Sequence, residues 1–138
     1  MRAMTASQLV AQAKARIENL SPEEVAAERE AGDVLLVDVR ETEERARDGT
    51  IGGSTHAPRG MVEFFADPTG AYYRAEFDPD RRTILFCASG GRSALAADAL
   101  QQMGYSAVAH LNGGLRAWRA AGGPIERETE TKGEAHGH

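Results

Sequence analysis

One residue of this 138-residue chain stands out for its chemistry. Cys87 is the single cysteine, and it heads the segment Phe86-Cys87-Ala88-Ser89-Gly90-Gly91-Arg92-Ser93. A thiolate is a nucleophile, and the residue types that follow are those that would hold one. Gly90 and Gly91 let the backbone curl until several N–H groups point inward, an anion nest where a helix begins. Arg92 adds a positive charge. Such settings lower a cysteine pKa from about 8.5 to roughly 3.5–7.5, and the same donors would hold an anionic adduct. A lone cysteine after a strand is often a small buried hydrophobe, but an inert thiol has no need of a glycine-lined turn beside an arginine. Cys87 is therefore the expected catalytic residue. Ala88, Ser89, Gly90, Gly91, Arg92 and Ser93 are expected to bind substrate and stabilise the thiolate.

Other charges stand within reach in sequence. Asp38 and Arg40 lie just beyond the apolar run Val34-Leu35-Leu36-Val37. Asp38 is expected to hold a neighbouring loop through hydrogen bonds rather than to do chemistry. Arg40 either binds an anionic substrate or pairs with Asp38 or Glu41, and Arg59 either edges the pocket or lies on the surface. Among the histidines, His56 and His110 are expected to be structural, with His110 following a strand. His136 and His138 sit in the tail, where two residues at a terminus are most simply solvated. Trp118 reads as a core anchor.

These residues need a frame. Residues 5–20 place Leu9, Val10, Ala13, Ile17 and Leu20 on one helical face. Ser21, Pro22 and Glu24 form the start signal of a second helix running to about Glu30, with Gly32 as its stop. Val34-Leu35-Leu36-Val37 and Thr83-Ile84-Leu85-Phe86 are continuous apolar runs, suited to parallel strands covered on both faces. Ala107-Val108-Ala109 is a weaker third run. Residues 92–103 between the last two read as a helix, which completes a parallel βαβ unit. In open α/β sheets ligands bind beyond the carboxyl ends of strands, and Cys87 stands there. Gly113-Gly114 precedes a short amphipathic helix. Residues 48–60 are irregular, and residues 66–77 read as a loop whose Tyr72, Tyr73 and Phe77 cover one edge.

Composition narrows the function. With 16 Lys+Arg against 21 Asp+Glu the formal charge is −5, which argues against nucleic acid as the main partner. A single thiol excludes an intramolecular disulfide framework and a Cys-rich zinc site. No apolar run approaches the ~20 residues of a membrane span, and the N-terminus lacks the apolar centre of a signal peptide. The expectation is a cytoplasmic, globular domain without a membrane.

The cysteine segment resembles the active-site loop of the rhodanese-domain sulfurtransferases. The likeness extends to Leu36-Val37-Asp38-Val39-Arg40-Glu41, to Gly49-Thr50-Ile51-Gly52-Gly53-Ser54-Thr55-His56-Ala57-Pro58, and to Leu111-Asn112-Gly113-Gly114-Leu115 with Trp118, all in family order. Thr50 and Gly52 depart from that pattern, as does Ala88, which stands where the family often has arginine. The resemblance implies an α/β domain with a parallel five-stranded sheet flanked by helices over residues 21–125. An N-terminal helical extension, residues 1–20, would precede it, a homodimer through that extension being left open, and a polar tail, residues 126–138, would follow.

The resemblance also implies a reaction. Cys87 takes a sulfane sulfur from thiosulfate or a persulfide donor and passes it, as a Cys87 persulfide, to cyanide or a thiol. The chemistry calls for neither cofactor nor metal. Two other readings stand beside it: a non-catalytic rhodanese module that binds a partner, and a phosphatase or arsenate reductase. Four residues separate Cys87 from Arg92, one fewer than in Cys-x5-Arg phosphatases, and the smaller nest suits a single sulfur.

Overall fold

The computed structural model describes residues 2–127. Its frame is a sheet of five parallel strands: β1 (Glu18–Leu20), β2 (Val34–Asp38), β3 (Thr55–His56), β4 (Arg82–Phe86) and β5 (Val108–Leu111), in the order β1-β5-β4-β2-β3. Strand β4 is central. It pairs with β2 from Val34↔Arg82 to Asp38↔Phe86, and with β5 from Thr83↔Val108 to Leu85↔His110.

Continuous apolar runs place core on both faces, and the alternation of side chains divides them. Leu35, Val37 and Leu85 enter one apolar cluster, while Leu36, Ile84 and Phe86 enter the other. Helices α1 (Ala6–Arg16) and α5 (Gly91–Gln102) supply Ala13, Ala94, Ala97 and Leu100 to the first. Helices α2 (Pro22–Ala31) and α6 (Gly114–Ala120) supply Val25, Leu115 and Trp118 to the second. The expected capping box opens α2: Ser21 Oγ accepts from the Glu24 N–H, and the Glu24 carboxylate accepts from the Ser21 N–H. Short helices α3 (Thr42–Asp48) and α4 (Val62–Phe65), with a 3-10 turn at Arg59–Met61 before α4, fill the stretch between β2 and β4. No helix among the described residues is long and apolar enough to cross a membrane.

Several sequence expectations are revised. The first helix ends at Arg16 and residues 18–20 form β1, so the last three residues of the segment expected to be a helical extension join the sheet instead. Leu20 sits on the helical face by spacing, but its carbonyl accepts from Asn112 N–H at 2.8 Å, and β5 claims its backbone. Ala13 of α1 packs into the first apolar cluster beside α5, where Arg16 also pairs with Asp98 at 2.8 Å, while Leu9 stays exposed. His110 lies within β5, not after it. Phe77 is fully buried, Tyr73 is half-buried with its hydroxyl on Phe77 O, and Tyr72 is exposed, so the three aromatics do not act together. At the other end Glu126 exchanges two backbone hydrogen bonds with Thr50, at 2.8 and 2.9 Å, so residue 126 belongs to the fold and not to the tail. His136 and His138 lie outside the described residues.

Candidate active site

Strand β4 runs out at Phe86 and the chain turns at Cys87. Its Sγ accepts the N–H groups of Gly90 at 3.1 Å and Ser93 at 3.4 Å, and the thiol can donate to Ser93 Oγ at 3.6 Å. Cys87 is 1% exposed, which leaves little water around the sulfur. Gly90 makes the turn with φ of 108°, a conformation that strains any L side chain, and a Cβ there would also press on Gly113 N at 3.2 Å. Four residues lie between Cys87 and Arg92, and the ring of N–H groups is correspondingly small.

The turn before α6 holds this loop from outside. Leu115 N–H donates to Cys87 O at 2.8 Å, and Arg116 N–H donates to Ala88 O at 3.0 Å. Gly114, at φ of 62°, lies so close that a Cβ would fall 2.5 Å from Cys87 O. With their carbonyls bound outward, the loop residues keep their N–H groups free to point in. Ser89 and Gly91 belong to the same loop, which α5 continues.

Behind the sulfur runs a chain of hydrogen bonds: Ser93 Oγ to His110 Nδ1 at 2.9 Å, then His110 Nε2 to Asn19 Oδ1 at 2.8 Å. The amide of Asn19 is oriented by its own donations to Lys14 O and Ile17 O. Its Oδ1 therefore accepts, His110 carries its proton on Nε2, and Nδ1 takes the Ser93 hydroxyl proton. Burial, with the Lys14 charge behind it, pushes His110 down to about 4, so the ring is neutral and remains an acceptor. The chain ties the start of α5 to β5 and β1.

The arginines expected at the thiolate do other work. Arg92 donates from both terminal nitrogens to Glu44, at 2.8 and 3.0 Å, and reaches the sulfur only through space. Its charge, through those bonds, holds the Glu44 carboxyl down to about 2. Arg40 is buried at 1% exposure, donates to both carboxylate oxygens of Asp38, and reaches Gly49 O at 2.6 Å. Of the two expectations for Arg40, pairing with Asp38 is the one realised. Asp38 also accepts from Thr50 Oγ1 at 2.7 Å, with Arg45 at 3.6 Å, so it pins the 49–50 turn by hydrogen bonds. His56 Nε2 meets Arg40 O at 2.7 Å, a structural contact. Arg59 pairs with Glu63 one turn later, at 2.8 Å. The substrate-binding places read for Arg40 and Arg59 thus go to charges that are already partnered.

Beside the loop opens a cavity of about 240 Å³, lined by Arg40, Asp48, Ala88, Leu115, Arg116 and Arg119. No local motif in the sequence singles out Arg116 and Arg119. They occupy α6, whose amphipathic spacing marks them as outward-facing but does not reveal that this outward face meets the cysteine loop.

Comparison with known proteins bears on the same segments. A family model described as the Rhodanese-like domain matches residues 21–121. A protein of unknown function from Rhodopseudomonas palustris, described as a possible tyrosine phosphatase, has 42% identity and a TM-score of 0.85, covering 91% of this chain and 97% of that one. The polysulfide-sulfur transferase homodimer of Wolinella succinogenes has 27% identity and a TM-score of 0.71, covering 96% and 90%. The thiosulfate sulfurtransferase of Pseudomonas aeruginosa has 29% identity and a TM-score of 0.69, covering 86% of this chain and 22% of that one. Among curated proteins, the probable adenylyltransferase/sulfurtransferase MoeZ of Mycobacterium tuberculosis is 43% identical over 44 residues. Those residues are 32% of this chain and 11% of MoeZ, so the match spans about a tenth of that relative's length.

Proposed function

The chain belongs to the rhodanese-like domain family, and from that premise we propose that it is a sulfurtransferase in which Cys87 carries the sulfur as a persulfide. The observation that carries the proposal is the seat of Cys87 Sγ, in a small ring of N–H groups at the carboxyl end of the central strand. The N–H donors of that ring complement the charge of an anionic sulfur atom. The Cys87 thiolate attacks the outer sulfur of thiosulfate or a related donor, the sulfur–sulfur bond of the donor breaks, and sulfite leaves with the bonding electrons. The terminal sulfur of the Cys87 persulfide then meets the loop donors. A thiol in the cell, or cyanide in an assay, removes it and regenerates the thiolate. Since Cys87 is the single cysteine, the acceptor is external. The names of the Wolinella and Pseudomonas proteins support the same class of reaction.

A phosphatase reading follows from the description of the Rhodopseudomonas protein. A Cys-Arg phosphatase clasps the phosphate with its loop arginine, whereas both terminal nitrogens of Arg92 are held by Glu44. The sulfur reading is the better supported. Mass spectrometry after thiosulfate treatment tests it: a gain of one sulfur on the Cys87 peptide, removed by cyanide, is the expected result. Phosphate-ester hydrolysis with no such gain would reverse the ranking. The place of action proposed is the cytoplasm, where the acceptor thiol is abundant.

A further inference from the structure

We infer that Arg116, seconded by Arg119, forms the subsite that receives the anionic end of the sulfur donor. The inference rests on the sulfurtransferase reading and names the residues outside the cysteine loop that position the donor. None of the loop side chains between Cys87 and Arg92 is charged, and Arg92 itself is bound by Glu44. Arg40, the other cation at the mouth, is neutralised by Asp38. The cationic groups read from the sequence therefore leave nothing to receive a dianion.

The last helix supplies what the loop lacks. Arg116 N–H is bonded to Ala88 O, so the residue is anchored to the cysteine loop through its backbone. Its side chain is exposed, lines the same cavity as Ala88, and among the described residues has neither hydrogen bond nor ion pair. Arg119 lines that cavity too, and its guanidinium donates to Asp48 O. Of the remaining lining charges, Asp48 pairs with Arg47 at 2.8 Å and also feels the charges of Arg40 and Arg119, and Arg40 is met by Asp38 at 2.9 Å. Among the described residues Arg116 is left as the lining cation with no charge partner, on a chain whose formal charge is −5. An unpaired guanidinium also has the planar fork that fits two sulfonate oxygens.

The chemistry closes without a further reactant. The Cys87 thiolate forms a bond to the outer sulfur of thiosulfate, the bond from that sulfur to the sulfonate sulfur breaks, and its electron pair leaves on sulfite. Charge moves onto the sulfonate oxygens as the bond breaks, which is where Arg116 would sit. The guanidinium thus aids both donor binding and departure of sulfite.

The test is steady-state sulfur transfer from thiosulfate to cyanide by the wild type, Arg116→Ala, Arg119→Ala and Arg81→Ala, the last pairing with Asp33 at the opposite end of the sheet. Arg116→Ala should raise the thiosulfate KM about tenfold, as loss of one charge-assisted contact implies. Arg119→Ala should raise it less, and Arg81→Ala not at all. Methanesulfonate, a sulfonate with no sulfur to transfer, should compete with thiosulfate with a Ki that rises in the Arg116 variant by the same factor as KM. Added salt should raise KM in the wild type and have less effect in Arg116→Ala. The exposed position makes the substitution safe for folding, which unchanged thermal unfolding would verify. An Arg116→Ala enzyme with the wild-type KM and the wild-type Ki overturns the subsite. A wild type that forms no persulfide fails at the earlier step, and overturns the sulfurtransferase reading itself.

Discussion

Strands β2 and β4 lie side by side and end level, at Asp38 and Phe86, yet they open into regions of opposite character. Beyond β2 is a buried polar cluster in which charge meets charge: both oxygens of Asp38 are taken by Arg40, with Thr50 and Arg45 alongside. Beyond β4 is a loop whose N–H groups converge on one sulfur and have no carboxylate among them. The first region is closed and holds turns in place. The second turns its donors onto the cysteine sulfur. What separates them is whether the positive groups find their partner within the chain, since a paired buried ion adds rigidity and an unpaired ring of dipoles adds reactivity.

The contrast can be broken at either end. The largest effect belongs to Cys87→Ser, which should abolish persulfide formation and cyanide-dependent turnover while leaving the unfolding temperature near that of the wild type. A variant that keeps most of its turnover would place the chemistry elsewhere. Asp38→Ala should do the reverse. It strands the guanidinium of Arg40 in the interior, at a cost of about 3–5 kcal/mol, seen as a lower denaturant midpoint. A loss below 1 kcal/mol would show that Arg40 escapes to water and that the cluster is not closed.

A pH titration reports on the hydrogen-bonded chain behind the sulfur. Burial pushes His110 down to about 4. The unfolded chain takes up that proton as pH falls below about 6.5, and the folded ring resists until about 4. Stability from this neutral ring is therefore complete above the unfolded value and is lost as pH falls through the folded one. Urea titrations at pH 7 and pH 4 should differ by roughly 3 kcal/mol from this site. His110→Asn, which keeps an acceptor for Ser93 but does not titrate, should flatten that dependence; an equal drop in the variant would assign it to other groups.

The smallest expected change comes from Glu44→Gln. The Arg92–Glu44 pair is part-exposed, so its loss should cost no more than about 1 kcal/mol. Removing a carboxylate near the loop should also lower the thiosulfate KM a few-fold by freeing the Arg92 charge. A raised KM would mean that Glu44 positions Arg92 for the donor.

Much of the fold was legible because it is written in local pattern. The runs at 34–37 and 83–86 named the central strands, and Ser21, Pro22, Glu24 and Gly32 named both ends of α2. Strand β1 escaped because three residues carry too little periodicity to compete with a helix whose spacing runs into them. Strand β3 escaped for the same reason, with only two residues. Both are strands because a neighbour offers them a ladder.

The site divides along the same line. By itself the sequence singled out Cys87, its loop length and the glycines around it, because Gly90 and Gly114 are dictated by backbone conformation and close approach, which composition records. It also determined that the charges in play were arginines. Which arginine is free was decided only by the tertiary structure. Arg92 and Arg40 are adjacent in sequence to the features they were expected to serve, but Glu44 and Asp38 claim them, while Arg116 arrives from a helix 28 positions after Ala88, bonded to that residue by its backbone. Pairing of charges depends on distance in space, and that distance is fixed only when the helices pack.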